Sequence, residues 1–251
     1  MSKKSTKKGR MIGINLMVCV ALFLLCNSVY AQDYVKKGLV SYWSFDEGEG
    51  EIAKDSVGTN NGQIHGAVWV DGIKGKALSF DGVDDYVDCG EDGSLDLGIV
   101  GEITLEACVK LSRDLDVEKT ELVSIITKGP YNNSSQYLLG IRYGQKMYTD
   151  GLRPDGSYTQ GRGDVMLAKN VWYHLALTRD SSGTKFYVNG ELKGRGLAKI
   201  TQGKAADITT QIGAEDEHYY FPGIIDEVRI YNRALSAAEI KNHYEINNLL
   251  L

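Results

Sequence analysis

The chain has 251 residues, with 28 Lys and Arg against 33 Asp and Glu and a formal net charge of −5 at pH 7. Five of the basic residues (Lys3, Lys4, Lys7, Lys8 and Arg10) lie in the first ten positions, and beyond residue 31 the balance is 23 basic to 33 acidic, a net charge of −10. An acidic body excludes nucleic acid and anionic membrane as expected partners, because affinity for both comes chiefly from Lys and Arg neutralising phosphates; acidic loops suit cations instead.

The first 31 residues read as a secretion signal: the basic run, then the apolar stretch Met17 to Leu25, then Val29-Tyr30-Ala31, so cleavage is expected after Ala31. The apolar stretch falls short of the ~20 residues that span a bilayer, and no later run is longer, so a secreted, periplasmic or extracellular protein without a membrane span is expected. Cys19 and Cys26 leave with the signal. Cys89 and Cys108 remain, in an oxidising compartment where a disulfide is permitted; the spacing is equally compatible with a bridge and with two buried thiols.

From residue 38 onward, short runs of Val, Ile, Tyr, Leu and Trp recur between Gly, Asn and Asp, with only three prolines in the chain. This texture predicts an all-β fold, an antiparallel sandwich or barrel, as one domain over residues 32–251. Strands are expected near 39–45, 67–70, 76–80, 85–89, 102–111, 121–127, 136–143, 146–150, 171–179, 184–188, 208–212 and 223–231. In "VWYHLALTRDSSGTKFYVNGEL" (171–192), Val171, Tyr173, Leu175 and Leu177 alternate onto one face, which leaves Trp172 and His174 on the other. Asn189-Gly190 is the pair best suited to a type I′ hairpin turn. Ser236 and Glu239 form a capping box, and Leu235 and Ile240 the matching hydrophobic staple, so a short C-terminal helix begins at Ala237. Counting by two from Ile224 places Asp226 on the apolar side of the last strand, beside Val228 and Ile230.

Four segments resemble the concanavalin A-like lectin/glucanase superfamily in its laminin-G-like (LamG) branch: "GLVSYWSFDEGEG" (38–50), "GKALSFDGVDDYVDCG" (75–90) with "ITLEACVK" (103–110), the 171–192 segment, and "GIIDEVRIYNRALSAAEI" (223–240). Cys108 departs from the Trp that the family usually carries there. The resemblance implies a jelly-roll sandwich in which the first and last strands are neighbours. It also implies a structural calcium ion near that junction, with Asp46 and Asp226 as ligands and Asp55 and Asn60 from "DSVGTNNG" (55–62) as further oxygens. Ca²⁺ takes six to eight oxygen ligands in flexible geometry, and this mixture is of the right kind. The competing reading is that these side chains cap backbone amides of their loops, or that Asp226 pairs with an arginine.

The same fold carries glycoside hydrolases and polysaccharide lyases, so activity has to be read from the site. Retaining hydrolases need two carboxylates roughly 5 Å apart, which on a strand demands a spaced Glu/Asp alternation. None is present: "AEDEH" (214–218) is a contiguous acidic loop, and "QIH" (63–65) falls in the Gly-rich stretch "NNGQIHG". No catalytic residue is assigned. His174 reads as a packed strand histidine and His243 as a solvated helix residue.

Ligand candidates come from the tyrosine-rich and arginine-bearing stretches: Arg142, Tyr143, Tyr148 and Arg162, and the loop residues His218, Tyr219 and Tyr220. Aromatic faces stack on sugar C–H surfaces, and Arg pairs with hydroxyls or uronate carboxylates. The expected function is therefore a secreted, non-catalytic recognition module for a glycan or a glycosylated or matrix-like protein. The alternatives are a polysaccharide-active enzyme of the same fold and a module engaged only in protein contacts.

Overall fold

Alternating burial along short apolar runs yields sixteen strands among the described residues, which are 36–97, 101–116, 118, 121–129, 136–142, 144–152, 158–196, 209–216 and 218–248 of a computed structural model. In chain order they are β1 (Leu39–Trp43), β2 (Ile52–Ala53), β3 (Gly62–His65), β4 (Val68–Asp71), β5 (Lys76–Asp81), β6 (Tyr86–Asp88), β7 (Ile103–Leu111), β8 (Leu122–Lys128), β9 (Tyr137–Arg142), β10 (Lys146–Leu152), β11 (Tyr158–Met166), β12 (Tyr173–Asp180), β13 (Gly183–Val188), β14 (Glu191–Gly196), β15 (Thr210–Ile212) and β16 (Pro222–Tyr231). One helix, α1 (Ala237–Asn248), follows. All of these elements fall in a unit from Gly38 to Leu251. The expected signal segment lies outside the described residues.

The strands form two antiparallel sheets of eight. The first is ordered β14-β13-β12-β7-β16-β5-β4, with β1 also on β16; the second is β11-β10-β9-β8-β15-β6-β3-β2. Their facing sides interdigitate in one core, including Trp43, Phe80, Leu105, Ile126, Leu139, Phe186 and Ile225. Jelly-roll architecture and the adjacency of the first and last strands follow as expected. Asn189 and Gly190 both have positive φ, 51° and 75°, and join Val188 directly to Glu191, which is the type I′ geometry the pair favours.

Along one side the two sheets approach at their edges, where β11 lies against β14. A Cβ on Gly194 would stand 2.5 Å from the Arg162 carbonyl oxygen, and one on Gly196 would stand 3.2 Å from the Gly161 Cα, so side chains are absent where the backbones meet. This explains two strands missing from the sequence expectation: glycine-rich "YTQGRGDVM" and "ELKGRG" read as loops by propensity, yet each is held by its neighbours. Short β2 and β3 are likewise additions to that expectation, and "QIH" belongs to β3, in register with β6, instead of to a loop.

Strand β16 organises the first sheet. It has β7 along one side; on the other it pairs with β5 through residues 222–225 and with β1 through 228–231. At the handover a β-bulge falls between Asp226 and Arg229, with Glu227 at φ 53°. The extra residue reverses the alternation. Ile225, Val228 and Ile230 face the inter-sheet core, whereas Asp226 stands opposite Cys108 on the other side. The count by two that put Asp226 on the apolar face is thus corrected.

The outer side of the first sheet is covered by α1. Ser236 N–H donates to Glu239 Oε2 at 2.7 Å and Glu239 N–H to Ser236 Oγ at 3.3 Å, and Leu235 and Ile240 pack with Ala176, Tyr187 and Tyr231 in a second apolar cluster. The cysteines do not meet: Cys89 lies in the inter-sheet core, while Cys108 faces α1, where Asn247 Nδ2 lies 3.5 Å from its sulfur. Both are free thiols, so the disulfide alternative is set aside.

Candidate functional site

Two carboxylates from distant parts of the chain lean on the short turn between β4 and β5. Asp226 Oδ2 accepts from the amides of Ile73 (3.0 Å) and Lys74 (3.3 Å), and its Oδ1 from Glu227 (2.8 Å). Asp46 Oδ1 accepts from Lys76 N–H at 3.1 Å, where the turn enters β5. A Cβ on Gly72 would collide with Asp226, and one on Gly75 with Asp46. Asp226 is fully buried; burial, then the neighbouring Glu227 charge, push its pKa up to about 7. Its hydrogen bonds are all to amides, with no cationic side chain paired to it among the described residues. The contacts found are those of the amide-capping reading: Asp226 and Asp46 both accept from backbone N–H groups of the same turn. A divalent cation bound at this turn would take its carboxylate oxygens from Asp226 and Asp46.

Asp55 and Asn60 form a separate cluster. Asp55 Oδ1 accepts from the amides of Tyr42, Val57 and Gly58, each at 3.0 Å, and its Oδ2 from Asn60 N–H at 3.2 Å. Burial opposes ionisation here, but the amides outweigh it and the carboxyl ends below its ordinary range. Asn60 Nδ2 reaches Ser41 Oγ at 2.8 Å and Ser94 Oγ at 3.1 Å. This pair ties the 55–61 loop to β1.

The outer side of the second sheet bears most of the sequence-expected ligand residues. Ser124, Gly140, Tyr148 and Arg162 stand in register across β8, β9, β10 and β11. Because Val123, Leu139 and Met147 face the core, this row faces away from it. Arg142, two residues along β9 from Gly140, lies over the Tyr148 ring at 5.2 Å. The Tyr219 carbonyl accepts from Ser124 N–H at 2.8 Å, which brings the 213–221 loop to the end of the row. In that loop Glu215 and His218 bridge each other through paired backbone bonds of 2.8 Å, and the His218 ring nitrogen Nδ1 lies 2.6 Å from the Asp216 carbonyl. Tyr220 is half-buried and follows directly. Tyr143 lies outside the described residues. Tyr148 itself is only 3% exposed, so the row presents the exposed Arg162 and half-buried Arg142 instead of an open ring.

An open aromatic surface occurs farther along the same side, in residues that sequence reasoning did not select. His65 on β3 and Tyr86 on β6 are in register, their rings stacked at 4.4 Å and 12°. Next to them Gln63, Asp88 and Gln211 align across β3, β6 and β15. His65 is exposed and Tyr86 half-buried. The available signal was "DYVDC": Val87 and Cys89 enter the core, so Tyr86 and Asp88 must point the other way.

Beneath α1 the outer side of the first sheet holds a buried ionic cluster. His243 Nδ1 is 2.8 Å from Glu106 Oε2, and His174 Nε2 is 3.8 Å from Glu106 Oε1. Burial resists ionisation of Glu106, but His243 in the first place, then His174 and Arg229, bring it below its usual range. Arg229 pairs with Glu227 and lies over the Tyr42 ring at 4.4 Å. His174 is packed, as expected, and burial lowers its pKa to about 4. His243 is buried instead of solvated: only 4% of it is exposed, because it faces the sheet.

Comparison with known proteins agrees with this architecture. No curated protein matches the chain. Among solved structures, the sialidase of Trypanosoma rangeli in complex with 2,3-difluorosialic acid is similar at 18% identity and a TM-score of 0.62, covering 83% of this chain but 33% of the sialidase chain. The chain thus spans about a third of that protein. Domain 4 of AbnA, a GH43 extracellular arabinanase from Geobacillus stearothermophilus, solved with arabinotriose, is similar at 22% identity and a TM-score of 0.60, covering 81% of this chain and 97% of that domain. At these identities the likeness is one of fold. A family model, Laminin_G_3, matches residues 81–241, more than half of the sequence, and with the two-sheet jelly roll described above it shows that the chain belongs to the concanavalin A-like lectin/glucanases superfamily.

Proposed function

We propose that this protein is a carbohydrate-recognition module that binds through the outer side of its second sheet and is stabilised by a calcium ion at Asp46 and Asp226. The carrying observation is where polar and aromatic groups stay accessible: α1 and its buried ion cluster occupy the outer side of the first sheet, whereas that of the second keeps exposed His65 with half-buried Tyr86 on β3 and β6, and exposed Arg162 with half-buried Arg142 on β11 and β9. There the His65–Tyr86 stack and the Arg142, Tyr148, Arg162 row are four strand steps apart between β6 and β10, about 19 Å at strand spacing. The outer-facing residues between them (Gln211, Thr127, Leu138 and Ser124) are buried, so the two ends offer separate contacts, aromatic stacking at one and guanidinium groups for hydroxyls or uronates at the other. Binding without cleavage is favoured because Asp88, in mid-face, has Gln63 and Gln211 as its register neighbours, where a glycosidase needs a second carboxylate. A secreted location is supported by the signal-like residues 1–31; no described helix is long and apolar enough to cross a membrane.

The test is binding to immobilised polysaccharides by affinity electrophoresis. His65→Ala and Tyr86→Ala are each expected to weaken retardation about tenfold or more, as loss of a stacking contact does, and Arg162→Ala to weaken it for acidic polysaccharides. Retardation unchanged in all three variants would move the ligand elsewhere.

A further inference from the structure

At one end of the sandwich two basic side chains turn inward. Arg179 is in register with Ile103 of β7 and Thr184 of β13, and Lys128 with Tyr137 of β9 and Thr210 of β15. Ile103 and Tyr137 belong to the inter-sheet core, and residues in register share a face, so both cations project between the sheets. Arg179 is 4% exposed and Lys128 1%. The Arg179 guanidinium reaches across to the Gln136 carbonyl just before β9, so the two sheets are bridged at this point.

The two charges are compensated differently. Lys128 Nζ lies 3.3 Å from Asp96 Oδ1, and Gln136 Nε2 reaches that same oxygen at 3.3 Å. Among the described residues Arg179 has no carboxylate. Its terminal nitrogens stand 3.4 and 3.5 Å from one carbonyl, long for such bonds, and its Nε has no partner. Burial alone draws its pKa down to about 10. Among the described residues, three buried polar groups at this end have no hydrogen bond: Arg179 Nε, Lys128 Nζ and Thr184 Oγ1, the last directly across the β12–β13 pair from Arg179. Buried charges are as a rule paired, and buried donors satisfied, because a dry interior penalises both omissions.

We propose that this end of the sandwich binds a small carboxylate anion on Arg179, with Thr184 and Lys128 beside it. The guanidinium selects the ligand: Lys128 is paired with Asp96 and also lies in the field of Asp92, so Arg179 is the cation left for an anion. A planar guanidinium edge matches a carboxylate in two parallel bonds, and the threonine hydroxyl supplies a third donor. Asp96, just after the 3-10 turn at Gly93–Leu95, has 21% of its side chain exposed. The carboxylate comes from a simple organic acid or from an acidic sugar. This site is independent of the outer side of the second sheet.

The experiment follows thermal unfolding of the protein at constant ionic strength in chloride, phosphate, acetate or glucuronate. Acetate or glucuronate at a hundredfold its Kd is expected to raise Tm by roughly 5 °C or more, with no rise in phosphate over chloride. Arg179→Gln is expected to abolish the rise. Thr184→Val, which keeps shape and charge, is expected to shift the titration midpoint about tenfold, the loss of one hydrogen bond to a charged group. In ¹⁵N-arginine-labelled protein one Nε–H resonance should move with acetate. A lower midpoint for glucuronate than for acetate identifies an acidic sugar as the source, and the reverse order a simple acid. Identical Tm in all four salts, or an acetate response that persists undiminished in Thr184→Val with no moving Nε–H resonance, overturns the proposal even if Arg179→Gln fails to fold.

Discussion

Asp226 illustrates how much one side chain does when it is buried beside a bulge. Its two oxygens satisfy three amides, two of them in a turn more than 150 positions away in sequence. Asp226→Ala strands those donors, and a cost of about 2–4 kcal/mol is expected even in chelator, since each buried amide left unpaired is expensive. The variant should also lose any calcium-dependent rise in Tm, because a ligand bound only to the folded state stabilises it by mass action. Asp55→Ala, which strands the amides of Tyr42, Val57, Gly58 and Asn60, should cost a comparable amount yet keep the calcium response. Thermal unfolding of both variants with calcium and with chelator decides the matter: a response lost only in Asp55→Ala would place the ion at the 55–61 loop. The oxygens themselves could be picked out in the sequence. Their division into two groups could not, because it depends on which turn each carboxylate reaches.

At the level of the element, α1 is docked by apolar contacts and by a histidine pair that its own sequence does not reveal. His243 looks like a surface residue along the helix; what buries it is Glu106 on β7, 137 positions away. The neighbouring His174 makes this interface sensitive to acid. Above pH 6.5 its imidazole is neutral in both the folded and the unfolded chain. Between 6.5 and the folded value of about 4 only the unfolded chain takes the proton, so stability falls as pH drops, by about 2–3 kcal/mol at pH 4.5. Urea unfolding at pH 7 and pH 4.5 checks this. His174→Gln should show a smaller loss between the two pH values than the natural chain, and an identical loss would remove His174 as the cause. The start of α1 was legible residue by residue, since Ser236, Glu239, Leu235 and Ile240 act within two turns of chain.

For the molecule as a whole, the contact between edges β11 and β14 determines how the two sheets close on each other. Gly194→Val is expected to cost about 1–3 kcal/mol, because its Cβ meets the Arg162 carbonyl and forces the edges apart. Gly93→Ala, whose added Cβ meets nothing nearer than 4.0 Å, should change stability by less than about 0.5 kcal/mol. Equal Tm for both variants would mean that the edges are free to separate.

The sequence by itself determined the fold class, most of the strands, the Asn189-Gly190 hairpin and the capped terminal helix. Each of these rests on a signal confined to a few neighbouring residues: alternation, a turn pair or a capping box. Only the tertiary structure decided that Asp226 leaves the apolar face, that glycine-rich β11 and β14 are strands, that the cysteines stay apart, and that His65 and Tyr86 stack on an open sheet. The physical reason is common to all four. A bulge, a backbone contact between edges and a register across strands are relations between segments far apart in the chain, and no local pattern of side chains encodes them.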